Sequence, residues 1–215
     1  MGDPAAPLAP DTWERHALAA RLAGSPGTLL DVGGEGLLRR YLLGTEVTTA
    51  NVEPPADVLL AGPELPFADG SFEAATSIDV LEHLPAAERA AHVAELRRVA
   101  RETVVLTTPL GTPEHVEAER ELAEWHEAVT GRRHRYLDEH LRHGLPTPEE
   151  LAELGEGGEL FFHGDFRRAA ELFRFGVRRR PLDLVRLALA RRDRELSPLP
   201  QRFTNRAFVR FTSVG

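Results

Sequence analysis

Two sets of residues in this chain are of types and spacings that suit chemistry. The stretch Leu29-Leu30-Asp31-Val32-Gly33-Gly34-Glu35-Gly36-Leu37-Leu38 reads as a short buried strand, a glycine turn and a helix opening at about Glu35. Gly33, Gly34 and Gly36 allow a tight turn and leave room for a ligand against the backbone. The free N–H groups of such a helix point into the same space, which suits a nucleotide-like ligand. The second set is histidine, a side chain that can accept a proton at neutral pH. His83 lies in the run Ile78-Asp79-Val80-Leu81-Glu82-His83-Leu84-Pro85, and His115, His126, His134, His140 and His143 follow further along. His140 and His143 stand about one helical turn apart with His134 before them, a spacing that metal sites also use. No set of carboxylates converges with them in the sequence, so no metal is assigned.

Two other nucleotide motifs fail on residues. A dinucleotide fingerprint needs G-x-G-x-x-G after the first strand. Counted from Gly34 the last position is Arg39, and counted from Gly33 the second glycine is Glu35. A P-loop needs a lysine, and the chain has none.

The elements that position these residues follow from pattern. Asp11-Thr12 can cap a helix through Trp13 to Leu22, which Gly24-Ser25-Pro26-Gly27 ends. The first strand covers Thr28 to Val32, and its helix runs on through Leu37 to Leu43. Glu46 to Val52 alternates β-branched residues and predicts a second strand. Strand, helix, strand at this spacing implies a parallel sheet. Asp57 to Ala61 and Glu73 to Asp79 read as the third and fourth strands, and Thr103 to Thr108 as the fifth. Between the last two lies a helix over Ala86 to Ala100, with Ala90, Val93, Leu96 and Val99 at helical spacing. Beyond Pro109 the alternation breaks. A polar helix is expected over Pro113 to Thr130, and a His- and Arg-rich segment over Arg132 to His143. A helix from Pro148 to Leu154 and a strand over Leu160 to His163 come next. Helices follow Asp165 and Pro181, and a final strand covers Phe203 to Thr212. The pattern predicts a single domain over 1–215, with 111–150 as an insertion or lid and 165–192 as a helical cover.

Bulk properties narrow the function. The chain has 215 residues, no cysteine and a formal net charge of −8. The absence of cysteine excludes disulfides and thiolate metal sites. From Phe161 onward, 13 Arg face 5 acids, so the rest of the chain is strongly acidic, which argues against general nucleic-acid binding. No stretch approaches the ~20 apolar residues of a membrane span. Met1 to Pro10 has neither the basic start nor the apolar core of a signal peptide, so a cytoplasmic protein is expected. Nothing in the pattern fixes an oligomeric state.

The glycine turn, then Leu65-Pro66-Phe67-Ala68-Asp69-Gly70-Ser71-Phe72, then Ile78 to Pro85, form a specific ordered set. This set resembles the class I S-adenosylmethionine (SAM)-dependent methyltransferases, and among them the small bacterial type 11 group, over roughly residues 27–110. The last strand, Asn205 to Phe211, fits the antiparallel strand that this family inserts at the end. The resemblance implies an α/β, Rossmann-like, doubly wound and mostly parallel seven-stranded sheet. It places Asp31, Gly33, Gly34 and Gly36 around the methionine part of SAM. Asn51, followed by Val52 and Glu53, stands where an acid usually meets the ribose. Ala61, with Gly62, stands where an Asp commonly meets the adenine amine. Asp79 and Val80 lie beside the adenosine and methyl donor, and His83 near the mouth of the active site. Glu35, Asn51 and Ala61 depart from the usual residues at their positions, so backbone and amide groups replace the usual side-chain contacts there.

Methyl transfer from a sulfonium is an in-line displacement, so the protein must align donor and acceptor and exclude water. An acceptor hydroxyl also needs a base. His83 is best placed, at the carboxyl end of the fourth strand, and His115 is a second candidate just beyond the fifth. Tyr136 and His140 reach the acceptor if their segment folds back as a lid. Glu82 is expected to pair with an arginine. The expected function is SAM-dependent O- or N-methylation of a small-molecule acceptor, in secondary or sugar-related metabolism. Two alternatives stand beside it. One is a non-catalytic binding or partner-stabilising module of the same fold, favoured by Glu35, Asn51 and Ala61. The other is an enzyme with peripheral membrane contact and a lipid-linked acceptor, favoured by the basic amphipathic stretch after Asp165.

Overall fold

A computed structural model describes residues 10–178 and 195–212. Seven strands form one sheet: β1 (Thr28–Val32), β2 (Glu46–Asn51), β3 (Val58–Leu59), β4 (Phe72–Ile78), β5 (Ala100–Pro109), β6 (Glu159–His163) and β7 (Arg206–Thr212). Their order is β3-β2-β1-β4-β5-β7-β6. Pairs within β3-β2-β1-β4-β5 are parallel, and β7 runs antiparallel to both its neighbours. This is the expected doubly wound sheet with an antiparallel last strand. Successive residues of the central strands feed opposite cores, as a sheet covered on both faces requires. Leu30, Val104 and Val209 pack with Val93, Leu96 and Val99 of α2 (Ala86–Val99), whereas Leu29, Val105 and Phe208 pack with Leu18 and Leu22 of α1 (Pro10–Ala23). A third, smaller cluster joins α3 (Pro113–Thr130), α4 (Arg135–His143) and α6 (Phe166–Arg178) through Leu122, Leu137 and Ala170. The short α5 (Pro148–Leu154) completes the helices of the described residues, and the helix expected after Pro181 lies outside them.

One predicted element is replaced. The helix expected from Glu35 to Leu43 is only a 3₁₀ turn over Leu37–Arg40. Gly36 sits at φ 81, in the left-handed region, where the first helical turn should run. Arg39 then reaches outward to the Val47 carbonyl at 2.9 Å and to Asp57 at 2.5 Å. No long helix therefore aims its N-terminus at the glycine turn. The third strand is also shorter than expected, at two residues. The His- and Arg-rich segment, for which no element was predicted, forms α4, and the His134 side chain caps it by accepting from Leu137 N–H.

A single arginine ties the sheet to the later helices. The predicted apolar stripe of α2 includes Ala90, but Ala90 is exposed and Arg89 is buried instead. Its Nε donates to the carbonyls of Leu81 and Leu84 at 2.9 and 3.3 Å. Its Nη1 meets both carboxylate oxygens of Glu150 at 3.0 and 2.8 Å. Its Nη2 donates to the carbonyls of His143 and Gly144. One guanidinium thus joins the turn after β4, the C-terminus of α4 and the start of α5. Arg89→Lys keeps the charge but cannot span these partners with a planar fork. It is expected to lower unfolding stability by about 3 kcal/mol, on the scale of a broken buried pair, measured by urea denaturation with an unchanged slope.

Candidate active site

The strand order reverses between β1 and β4, and ligands of such sheets bind outside the carboxyl ends of the strands at that point. A cleft of about 1580 Å³ opens there. A single-ligand pocket is typically roughly 300–1,000 Å³, so this cleft can take a donor and an acceptor together.

One side of the cleft is the glycine turn. Gly33 adopts φ 80, and a Cβ there would lie 2.3 Å from Val80 Cγ2. A Cβ on Gly34 would lie 1.9 Å from Asp31 Oδ2. The backbone is therefore pressed against both Val80 and Asp31, and no side chain fits between them. Asn51 pins this turn: its Nδ2 donates to the Gly33 carbonyl at 3.0 Å, and its Oδ1 accepts from Val52 N–H at 2.8 Å. Asp31 is buried and accepts from Thr76 Oγ1 at 3.0 Å. Among the described residues no basic group lies within ion-pair distance of it, and burial pushes its carboxyl up to about 6. Val52 and Glu53 are exposed at the rim, and Glu53 reaches Arg135 of α4 at 3.4 Å. Gly62 lines the cleft, while Ala61 faces a smaller recess beside it.

The floor is the end of β4. Asp79 takes a positive φ of 56, rare for a residue with a side chain. Its carboxylate is clamped by Arg206 of β7 and by Arg15 of α1, the latter at 2.8 Å. Burial works to raise its pKa, and the two guanidiniums overcome this and bring it to about 2. Asp79 is thus a fixed anion whose charge is already matched.

The other side gathers histidines and acids. Glu82, expected to pair with an arginine, instead accepts from Thr108 Oγ1 at 3.0 Å. Burial, and then the charge of Asp79, push its carboxyl up to about 7. His83 Nδ1 lies 2.8 Å from Glu139. Burial and the charge of His140 hold its imidazole below its usual pKa. The His140 ring centroid is 5.0 Å from that of His83, and its Nδ1 contacts Glu119 at 3.0 Å. Against burial, Glu119 and then Glu82 keep His140 above its usual pKa. Tyr136 stands edge-on to His83 at 5.5 Å. His115 lines the cleft but is buried, with Nδ1 on the Leu110 carbonyl at 2.8 Å and its ring stacked on Phe166. The structure therefore brings together His83, Tyr136 and His140, with His115 behind them. The carboxylates Glu119 and Glu139, and the clamps Arg15 and Arg206, carry no motif, and only the fold brings them to the cleft. The first arginines of α6 are paired: Arg167 with Asp165, Arg168 with Glu14 and Arg174 with Glu171.

The family model described as a methyltransferase domain matches residues 30–107, the segment that supplies the glycine turn, Asn51, Asp79 and His83. This segment is a methyltransferase domain. Among solved structures, the chain is similar to geranyl diphosphate C-methyltransferase from Streptomyces coelicolor A3(2), in complex with Mg2+, geranyl diphosphate and S-adenosyl-L-homocysteine. The identity is 13% and the TM-score 0.56, over 94% of this chain and 79% of that one. It is also similar to phosphoethanolamine N-methyltransferase 2 from Haemonchus contortus, in complex with phosphomonomethylethanolamine and S-adenosylhomocysteine. Here the identity is 15% and the TM-score 0.55, over 94% of this chain and 52% of that one. Among curated proteins, none matches the chain in sequence. The resemblance drawn from the motifs is borne out by the family match. The methyltransferase domain and these neighbours support SAM as the cofactor.

Within the methyltransferase domain, Asp31 is the group most exposed to a test. Its folded pKa is raised, so the folded chain holds a proton that the unfolded chain releases as pH climbs from the ordinary carboxylate range to about 6. Above that window a buried charge costs on the order of 3 kcal/mol, and stability falls as pH rises through it. A cationic ligand offsets that cost. Asp31→Asn is expected to raise the melting temperature at pH 7 but not at pH 4, and to weaken SAM binding at least about tenfold. Thermal denaturation at the two pH values and calorimetric titration check both halves.

Proposed function

We propose that this chain transfers the methyl group of SAM to an oxygen or nitrogen of a small-molecule acceptor. The observation that supports this reading best is the division of one cleft into two unlike halves. On one side a pinned glycine turn stands beside Asp31, a buried carboxylate with no basic group at ion-pair distance among the described residues. On the other side His83, Tyr136 and His140 face in, with Glu139 and Glu119 behind the imidazoles. SAM, when bound, supplies a methyl group already activated by the sulfonium charge. Asp31, Gly33, Gly34 and Gly36 would hold its methionine end, with Asn51, Val52 and Glu53 toward the ribose and Ala61 and Gly62 toward the adenine. Asn51 contributes by fixing the Gly33 carbonyl rather than by offering a free charge.

The remaining work falls to this chain's own residues. Asp79 and Val80 form the floor that sets the depth of both ligands, since Val80 fills the space against Gly33. Helices α3, α4 and α6 cover the histidine side, where their packing excludes water from the acceptor. His83, neutral at neutral pH, is the side chain to take a proton from an acceptor hydroxyl. Tyr136 and His140 orient the acceptor, and His115 supports His140 through their shared neighbour Glu119. The acceptors named for the two structural neighbours are small molecules, which fits a small acceptor here. Among the described residues no helix is long and apolar enough to cross a membrane, and α6 pairs its first arginines internally. An acceptor from secondary or sugar-related metabolism, bound in the cleft, accords with this arrangement.

Titration calorimetry is expected to show micromolar binding of SAM or S-adenosylhomocysteine, and no heat at millimolar ligand sinks the proposal. His83→Ala is expected to cut single-turnover methyl transfer by about 100-fold or more, the scale of general-base catalysis, while leaving SAM affinity within about twofold.

A further inference from the structure

The histidine side of the cleft holds more than a base. Ligand-capable atoms of Glu82, His83 and His140 all lie within 4.8 Å of one another. No two of them are hydrogen-bonded or ion-paired together, although the two imidazole rings are in contact at 5.0 Å between centroids. Donors to one tetrahedral ion, at roughly 2.1 Å each, stand about 3.4 Å apart, so shifts of under about 1 Å per side chain would close the set. Behind each imidazole stands a carboxylate: Glu139 is 2.8 Å from His83 Nδ1, and Glu119 is 3.0 Å from His140 Nδ1. With Nδ1 turned to a carboxylate, Nε2 is the nitrogen left to bind, which is the arrangement that orients metal-ligating histidines. Glu82 is 1% exposed and held by Thr108, with no guanidinium at ion-pair distance among the described residues. The nearby Asp79 is occupied by Arg15 and Arg206 and stays outside the set.

We propose that Glu82, His83 and His140 bind a divalent transition-metal ion, with its open coordination position facing the cleft for an oxygen of the acceptor. The binding itself stands on these residues alone; the acceptor oxygen rests on the methyl-transfer reading above. Two imidazoles and one carboxylate suit Zn2+ or Fe2+ rather than Mg2+ or Ca2+, which prefer oxygen donors. Three protein ligands leave a position open, as in sites that act on bound water or substrate. In the loaded site His83 is a ligand rather than a base, and the ion takes over lowering the pKa of the acceptor hydroxyl. Tyr136, edge-on to His83 and half in solvent, then stands at the entrance to that position.

The test uses the full chain, freed of any affinity tag and stripped with a chelator, titrated with Zn2+ in a calorimeter. One-to-one binding is expected, abolished by His140→Ala and by Glu82→Gln. Glu119→Gln, which removes only the carboxylate behind His140, is expected to weaken binding roughly tenfold or more. His126→Ala, a histidine of the same cleft outside the set, leaves it unchanged. Co2+ added to the unmodified chain is expected to give visible absorption bands of a histidine-ligated site, a readout that needs no variant to fold. Absence of stoichiometric uptake and of Co2+ bands, or uptake that survives His140→Ala, overturns the proposal. S-adenosylhomocysteine titrated into the stripped chain in parallel separates the two readings. Retained binding with no metal uptake removes the metal and leaves the methyltransferase reading intact.

Discussion

A buried guanidinium is costly unless every donor finds a partner, and the cleft depends on the way Arg89 meets that demand. The turn after β4 offers it two carbonyls, the end of α4 two more, and Glu150 a bidentate carboxylate. His83 lies within the first of these segments and His140 just before the second, so one side chain ties together the two segments that carry the imidazoles. Helix α2, which carries Arg89, packs on β4 and β5 through Val93, Leu96 and Val99, and so refers both histidines to the sheet. Two histidines that line the cleft thus owe their position to a side chain that does not enter it.

A second electrostatic arrangement works on the floor. Asp79 lies in a strained left-handed conformation at the end of β4, and the clamp from Arg15 and Arg206 joins α1, the central sheet and the last strand at one carboxylate. Strain of this kind persists only where surrounding contacts over-determine it. The same clamp matches the charge of Asp79, whereas Asp31 has no basic group at ion-pair distance among the described residues. Two carboxylates near one cleft are thereby pushed in opposite directions, one down to about 2 and the other up to about 6. The contrast separates a carboxylate whose charge is matched by guanidiniums from one that burial holds toward its neutral form.

Local pattern made most of the sheet legible, and with it the glycine-turn side of the cleft. Strands β1, β2, β4 and β5 are β-branched or apolar runs bounded by Gly, Pro and Asp, and their carboxyl ends carry Gly33, Asn51 and Asp79 directly. The helix after the glycine turn was misread because Gly36 takes a left-handed backbone and Arg39 leaves the helical path for Asp57, a choice made by β2 and β3. Periodicity places Ala90 in the core and Arg89 outside it because it prices an arginine as polar and has no means to see six acceptor oxygens in three segments on either side of the helix. The acceptor side was legible only as types of residue. His83 sits beside a motif, but Glu119, Glu139 and His140 come from two helices in the region where the family pattern gives no register, and only their packing brings them to Glu82.

The charge balance of the cleft also bears on turnover. Methyl transfer converts a sulfonium into a neutral thioether, so one positive charge leaves the donor during the reaction. An ionised Asp31 buried behind the glycine turn, with Glu53 at the rim, would favour a cationic ligand of this cleft over a neutral one. Asp31 is buried and screened little by salt, whereas Glu53 is exposed and already reaches Arg135 of α4. The buried acid therefore dominates the charge on this side, and the exposed pair joins the segment after β2 to the helix that carries His140.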